Sequence, residues 1–129
     1  MITIHPVGLA TLLAEAKTVD VVDVRPKEKF ERSHIDGAQS APLHDLRAAK
    51  LLHERKSTGA NPLFIVSGDR VSAGMAACML RGAGCAEPVV VDGGMKAWEA
   101  EGLPAVRSRR VHRWPHHEIF TRQLHRFLS

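Results

Sequence analysis

A short polar run, Ser67-Gly68-Asp69-Arg70-Val71-Ser72, holds most of the side chains in this sequence that could do chemistry. It follows the apolar run Leu63-Phe64-Ile65-Val66 and leads into a stretch rich in Ala, Met and Leu. A serine hydroxyl attacks a carbonyl only with a base beside it, and none of His34, His44 and His53 stands in a recognisable triad context. Asp23 and Arg25 place two opposite charges at the end of a Val-rich run. The two cysteines, Cys78 and Cys85, are too few and too close for a disulfide framework and are expected as reduced thiols. Cys78 falls mid-helix between Ala77 and Met79, where the expectation is a small buried hydrophobe rather than a reactive site. Cys85 lies past the far end of the same helix, on the order of 15 Å from the polar run. His112, His116 and His117 have no companion Cys or carboxylate cluster, so no metal site is expected.

The elements that must position these residues alternate between short β-rich runs and helical patterns, the arrangement of a parallel sheet covered by helices. Residues 2–4 make a brief strand, and His5-Pro6 opens a helix with Leu9, Leu12, Leu13 and Ala16 on one face. Residues 19–24 are nearly all Val, as befits a strand covered on both sides, and deliver Asp23 and Arg25 to its C-terminal end. A charged helix is expected over 27–32, a turn at Asp36-Gly37, an extended piece over 38–41, a helix around 45–52 and a polar loop over 53–62. Residues 63–66 are the strongest strand, 67–72 a loop and 73–83 a helix ended by Gly84-Cys85. The last strand is 89–91, followed by the turn Gly93-Gly94 and a short helix, 95–101, whose Trp98 belongs to the core.

With 129 residues the chain suits one domain able to bury a core without disulfides or metal. Its formal net charge of +4 is unevenly spread. Residues 1–104 hold 12 basic and 13 acidic side chains, whereas residues 105–129 hold six arginines against Glu118 alone. A near-neutral body argues against a footprint on nucleic-acid phosphates. The first ten residues have no charged start, apolar run and cleavage site of the secretory kind. No window approaches a membrane span either, and a cytoplasmic protein is expected.

Four stretches together resemble the rhodanese-like superfamily over roughly residues 1–105. They are Val21-Val22-Asp23-Val24-Arg25 followed by Phe30; Ser33-His34-Ile35-Asp36-Gly37-Ala38 leading to Pro42-Leu43; Pro62 through the strand into loop and helix; and Val90-Val91-Asp92-Gly93-Gly94-Met95 with Ala97-Trp98 and Gly102-Leu103-Pro104. The resemblance implies an α/β fold with a central five-stranded, mainly parallel sheet, helices on both faces and an active loop after the fourth strand. It implies sulfur transfer, in which a cysteine at the strand end takes sulfur from a donor such as thiosulfate as a persulfide and passes it to another thiol or to cyanide. It also gives Asp23 and Arg25 a structural role as an ion pair, and His34 that of a hydrogen-bonded turn residue. No cofactor is implied.

This sequence departs from the family pattern where it matters most. Against Cys-Arg-Ser-Gly-X-Arg-Ser it reads Ser67-Gly68-Asp69-Arg70-Val71-Ser72-Ala73, which puts Ser67 at the catalytic position. A rival register, with a two-residue insertion, puts Ile65 there; the cysteine is absent in both. Sulfur transfer needs a soft thiolate, which serine does not supply. The expectation is a pseudoenzyme that binds a small sulfur-containing anion or an acceptor thiol or protein; the alternative is an active sulfurtransferase in its natural form, with the cysteine replaced here. Inward-pointing amides over Ser67, Gly68, Asp69, Arg70, Val71 and Ser72 would hold the anion. Against that stands a plainer role: Ser72 caps the next helix, and Arg70 and Asp69 are solvated or pair with each other.

Residues 106–129 form a basic tail. Phe120, Leu124, Phe127 and Leu128 fall on one helical stripe with Arg122, His125 and Arg126 off it. A basic amphipathic helix suits peripheral contact with the inner face of a membrane, or packing back on the domain. Arg122-Gln123 after a basic stretch is similar to members in which a membrane hairpin follows the domain; no hairpin is present in this sequence.

Overall fold

A computed structural model describes residues 1–15, 18–55 and 61–108. Ala16, residues 56–60 of the polar loop and the basic segment from residue 109 onward therefore lie outside the described residues. Five strands, β1 (Ile2–Ile4), β2 (Asp20–Asp23), β3 (Gln39–Ser40), β4 (Leu63–Val66) and β5 (Pro88–Val91), form one sheet in the order β1-β5-β4-β2-β3. Every strand pairing is parallel.

The sheet is buried on both sides because its central strands are apolar at successive positions. Side chains alternate between the two faces of a strand. Leu63 and Ile65 point to one side, against Leu51, Ala73, Ala76, Ala77 and Leu80. Phe64 and Val66 point to the other, against Leu9, Met95 and Trp98. Helices α1 (Pro6–Ala14) and α5 (Gly94–Ala100) thus cover one face, and α3 (Ala48–His53) and α4 (Arg70–Gly82) the other. The short α2 (Lys27–Arg32) links β2 to β3 and buries no residue fully. Pro6 opens α1, where its missing N–H costs nothing, and His5 Nδ1 accepts from the Val7 amide at 3.1 Å.

Three expectations need correction. The helix expected over 45–52 divides into a 3-10 turn, Leu43–Asp45, and α3, because Leu46 between them takes an extended backbone (φ −72°, ψ 113°) and is buried in the core. Helix α4 begins at Arg70 rather than residue 73, since Asp69, not Ser72, is its N-cap. Cys78 is exposed. The buried face of α4 is set by Ala73, Ala76, Ala77 and Leu80, and at 3.6 residues per turn position 78 points away from their centre.

At the other end of the domain, Val106 pairs with His34 in an isolated antiparallel bridge, with N–O distances of 2.8 and 2.9 Å. The Ser108 amide donates to the Glu31 carbonyl at 2.9 Å. Among the described residues, no helix is long and apolar enough to cross a membrane.

Candidate functional site

The parallel arrangement brings the C-terminal ends of β2, β4 and β5 to one edge of the sheet, where an open α/β fold offers a crevice. Ser67 follows β4 and is 3% exposed. Its hydroxyl donates to the Asp69 carbonyl at 3.0 Å, closing a tight turn within the loop. Its own carbonyl accepts from the Met95 amide at 3.4 Å. The turn after β5 makes this approach possible: Gly94 has φ +62°, and a Cβ there would stand 2.1 Å from the Ser67 carbonyl oxygen.

Past Ser67 the chain enters α4 immediately. The Asp69 carboxylate accepts from the Ser72 amide at 2.7 Å and from the Ser72 hydroxyl at 3.0 Å. The backbone hydrogen bond from Ser72 is the largest cause holding the Asp69 carboxyl below its ordinary range. The Ser72 hydroxyl, the Val71 amide and the Lys29 charge act in the same direction. The negative charge sits where the helix end, with its unsatisfied N–H groups, favours one. Among the described residues no ion pair joins Arg70 to Asp69. Of the two plainer roles considered for these residues, capping therefore falls to Asp69, and an Asp69–Arg70 pair does not form.

Asp23 and Arg25 form the expected ion pair at the β2 end. Arg25 Nη2 lies 2.8 Å from Asp23 Oδ2 and Nε lies 3.0 Å from Oδ1. Nη2 also donates to the Ser33 carbonyl at 2.6 Å, which ties the strand end to the segment after α2. The pair is almost fully buried, with side chains 8% and 1% exposed. A Cβ on Gly68 would lie 3.9 Å from Arg25 Cγ, so the arginine stem lies beside the loop. His34 belongs to a different neighbourhood. Its ring stacks on Phe30 with centroids 3.8 Å apart, and Nδ1 lies 2.7 Å from the Phe30 carbonyl.

Two hollows flank the loop. One, of about 220 Å³, is lined by Ser67, Gly68, Asp69 and Arg70 together with Thr3 and Asp92. The other, an open groove of about 570 Å³, lies between Arg25, Lys29 and His44 on one side and Ser72, Met75 and Met79 on the other. His34 lines neither. Met75 and Met79 as surface residues, and Gly94 as the loop's neighbour, are not among the expectations from the sequence. The methionines carried a signal: with Val71 they repeat every four residues on α4, and all three are exposed. Among the described residues no buried side-chain nitrogen or oxygen lacks a hydrogen-bond partner. The site is thus internally satisfied, and its chemistry rests on what Ser67 and the helix-end donors can do.

The sequence model of the rhodanese-like domain matches residues 7–101. The uncharacterized protein slr1261 of Synechocystis sp. is 34% identical over 110 residues, covering 85% of this chain and 59% of that protein. This chain therefore matches only about three fifths of that relative's length. Among solved structures, a rhodanese-like domain protein from Staphylococcus aureus has a TM-score of 0.66 at 27% identity, covering 84% of this chain and 100% of its own. A thiosulfate sulfurtransferase from Pseudomonas aeruginosa has a TM-score of 0.73 at 22% identity, over 84% of this chain and 20% of that one. This last likeness is one of fold.

Proposed function

The chain belongs to the rhodanese-like domain family, and from that premise we propose that it is a binding module with no sulfurtransfer activity of its own. The observation that carries this reading is Ser67. It takes the place at the end of β4 where the family's sulfur-carrying cysteine is expected, is buried, and has its hydroxyl committed to the Asp69 carbonyl. A hydroxyl in that position neither ionises near neutral pH nor holds sulfur as a persulfide. The surrounding scaffold is intact: the Asp23–Arg25 pair, the close Gly94 turn and the loop into α4 are all formed. What remains is a shaped, satisfied loop flanked by two hollows, suited to holding an acceptor protein or a small sulfur-containing anion without chemistry.

Intact-mass measurement after incubation with thiosulfate tests the reading. The protein is expected to gain no sulfur and to show no turnover with thiosulfate and cyanide. Ser67→Cys, the same loop with a thiol, is expected to gain the mass of one sulfur atom on prolonged incubation. A sulfur adduct or turnover with the serine form would overturn the proposal.

A further inference from the structure

Ser67 explains why no sulfur is carried, but it leaves open what happens to the donors of the loop. Two of those donors are taken. The Asp69 carboxylate holds the Ser72 amide at 2.7 Å and the Ser72 hydroxyl at 3.0 Å. Both lie at the N-terminus of a 13-residue helix, where a free oxyanion beside the loop would find donors, and Asp69 itself lines the hollows on either side of the loop. We infer that Asp69 is a tethered anion that closes this loop to thiosulfate and other small oxyanions, independently of the serine at position 67. The inference rests on reading the loop as the family's sulfur site, and it narrows the proposed occupant from small anion to protein.

Two physical terms act together. A carboxylate fixed one residue before the helix competes at an effective concentration of about millimolar or more, so a dilute free anion does not displace it. A second negative charge beside the first is also repelled, and among the side chains lining the smaller hollow Arg70 is the one cation, against Asp69 and Asp92. The same two terms act on a thiol at position 67. Helix-end amides lower a thiol's pKa only while they are free to stabilise the thiolate. With Asp69 in place, a cysteine there would meet a helix end whose Ser72 donors are spent, and a neighbouring carboxylate.

The experiment compares Ser67→Cys with Ser67→Cys/Asp69→Gly. Glycine is a tolerated N-cap and supplies no carboxylate. Asp69→Asn on the cysteine background keeps an oxygen on the Ser72 amide without the charge, guards against a folding failure of the glycine form, and is expected between the two. The pH dependence of thiol alkylation is read first, because a merely structural role for Asp69 would not move it. The double variant is expected to titrate about one pH unit or more below the single one.

Persulfide formation is read second. The thiolate attacks the outer sulfur of thiosulfate, the S–S bond breaks, and sulfite leaves with the bonding pair. The double variant is expected to form it about tenfold faster or more. On the serine background, thiosulfate is expected to shift the amide resonances of residues 68–72 saturably in Asp69→Gly and not in the unaltered protein. Equal titration and equal rates in the single and double cysteine variants, or saturable shifts in the unaltered protein, would overturn the inference. Sulfur uptake by the unaltered protein would overturn the non-transferring reading instead, and leave the comparison of cysteine variants to judge Asp69.

Discussion

The carbonyl oxygen of Ser67 and the α-carbon of Gly94 face each other so closely that a Cβ on Gly94 would stand 2.1 Å from that oxygen. The contact is between two backbones, and the Met95 amide completes it by donating to the same oxygen at 3.4 Å. Neither side can yield by turning a side chain. The end of β4 and the turn after β5 therefore fix each other, and the position of the loop depends on both.

Gly94→Ala should accordingly be among the most damaging small substitutions in the domain. It combines a left-handed backbone (φ +62°) with a backbone clash, and a loss of about 3 kcal/mol or more is expected in urea unfolding. Gly74→Ala is the matched control. It lies inside α4 with nothing within 4 Å of an added Cβ, and a gain of up to about 1 kcal/mol is expected. A mild effect at Gly94 would contradict the close approach.

Asp23→Ala leaves the Arg25 guanidinium buried with the Ser33 carbonyl as its remaining hydrogen-bond partner among the described residues. An uncompensated buried charge of this kind costs about 3 kcal/mol or more. Removing both side chains should cost less than the two single losses added together, a coupling of about 1–3 kcal/mol measurable by a double-mutant cycle. Additive losses would show that the pair does not act as a unit.

The Asp69 cap gives a pH signature. Its carboxyl is held below the ordinary range, chiefly by the Ser72 amide, so the folded state favours the ionised form. The resulting stability is fully present above the unfolded pKa of about 3.9 and is lost as pH falls through the lower folded value. Asp69→Asn should be less stable than the parent by a constant margin above about pH 5, and the two should converge in acid. A margin that persists unchanged at the lowest pH would show that the charge is not what matters.

Much of the architecture was legible before the structure, and the exceptions have physical causes. Strand β4 and helix α2 fall where expected because their patterns are unambiguous: four consecutive apolar residues, and six dominated by charge. The start of α4 is expected three residues late because Arg70 and Ser72 are polar and Val71 belongs to the exposed stripe with Met75 and Met79, not to the buried face. Asp69 followed three residues later by Ser72 is nonetheless a capping arrangement visible in sequence. The exposure of Cys78 also follows from helical spacing once Ala73, Ala76, Ala77 and Leu80 are taken as the buried face. The Ser67–Gly94 approach was not readable, since it depends on how two loops from separate strands meet.

Trp98→Phe tests the seam beneath the α1 and α5 face. The indole is 1% exposed and donates to the Pro104 carbonyl at 2.9 Å. Phenylalanine removes the donor and leaves a small void, and a loss of about 2 kcal/mol is expected by thermal or urea unfolding. A neutral result would mean that the Pro104 carbonyl finds water or another donor.

A chain ended at Pro104 forfeits the bridge between Val106 and His34 and the bond from Ser108 to Glu31. It should melt clearly below one ended at Ser108, by about 2 kcal/mol in stability given the buried Val106 side chain and the lost hydrogen bonds. Equal melting temperatures would place these three contacts outside the cooperative unit.

The sheet order also has a consequence in time. Strand β1 opens the domain, yet among the described residues its partner in the sheet is β5, with Ile2 opposite Val89 and Ile4 opposite Val91. During synthesis the first strand of this domain must therefore wait, without its sheet partner, until nearly the whole domain has followed it. Such distant pairings are slow to close, and Met1 and Ile2 remain apolar and exposed even in the folded edge. The first strand of the domain is thus the last to be secured, and the nascent domain is most open to mispairing with its neighbours along that edge.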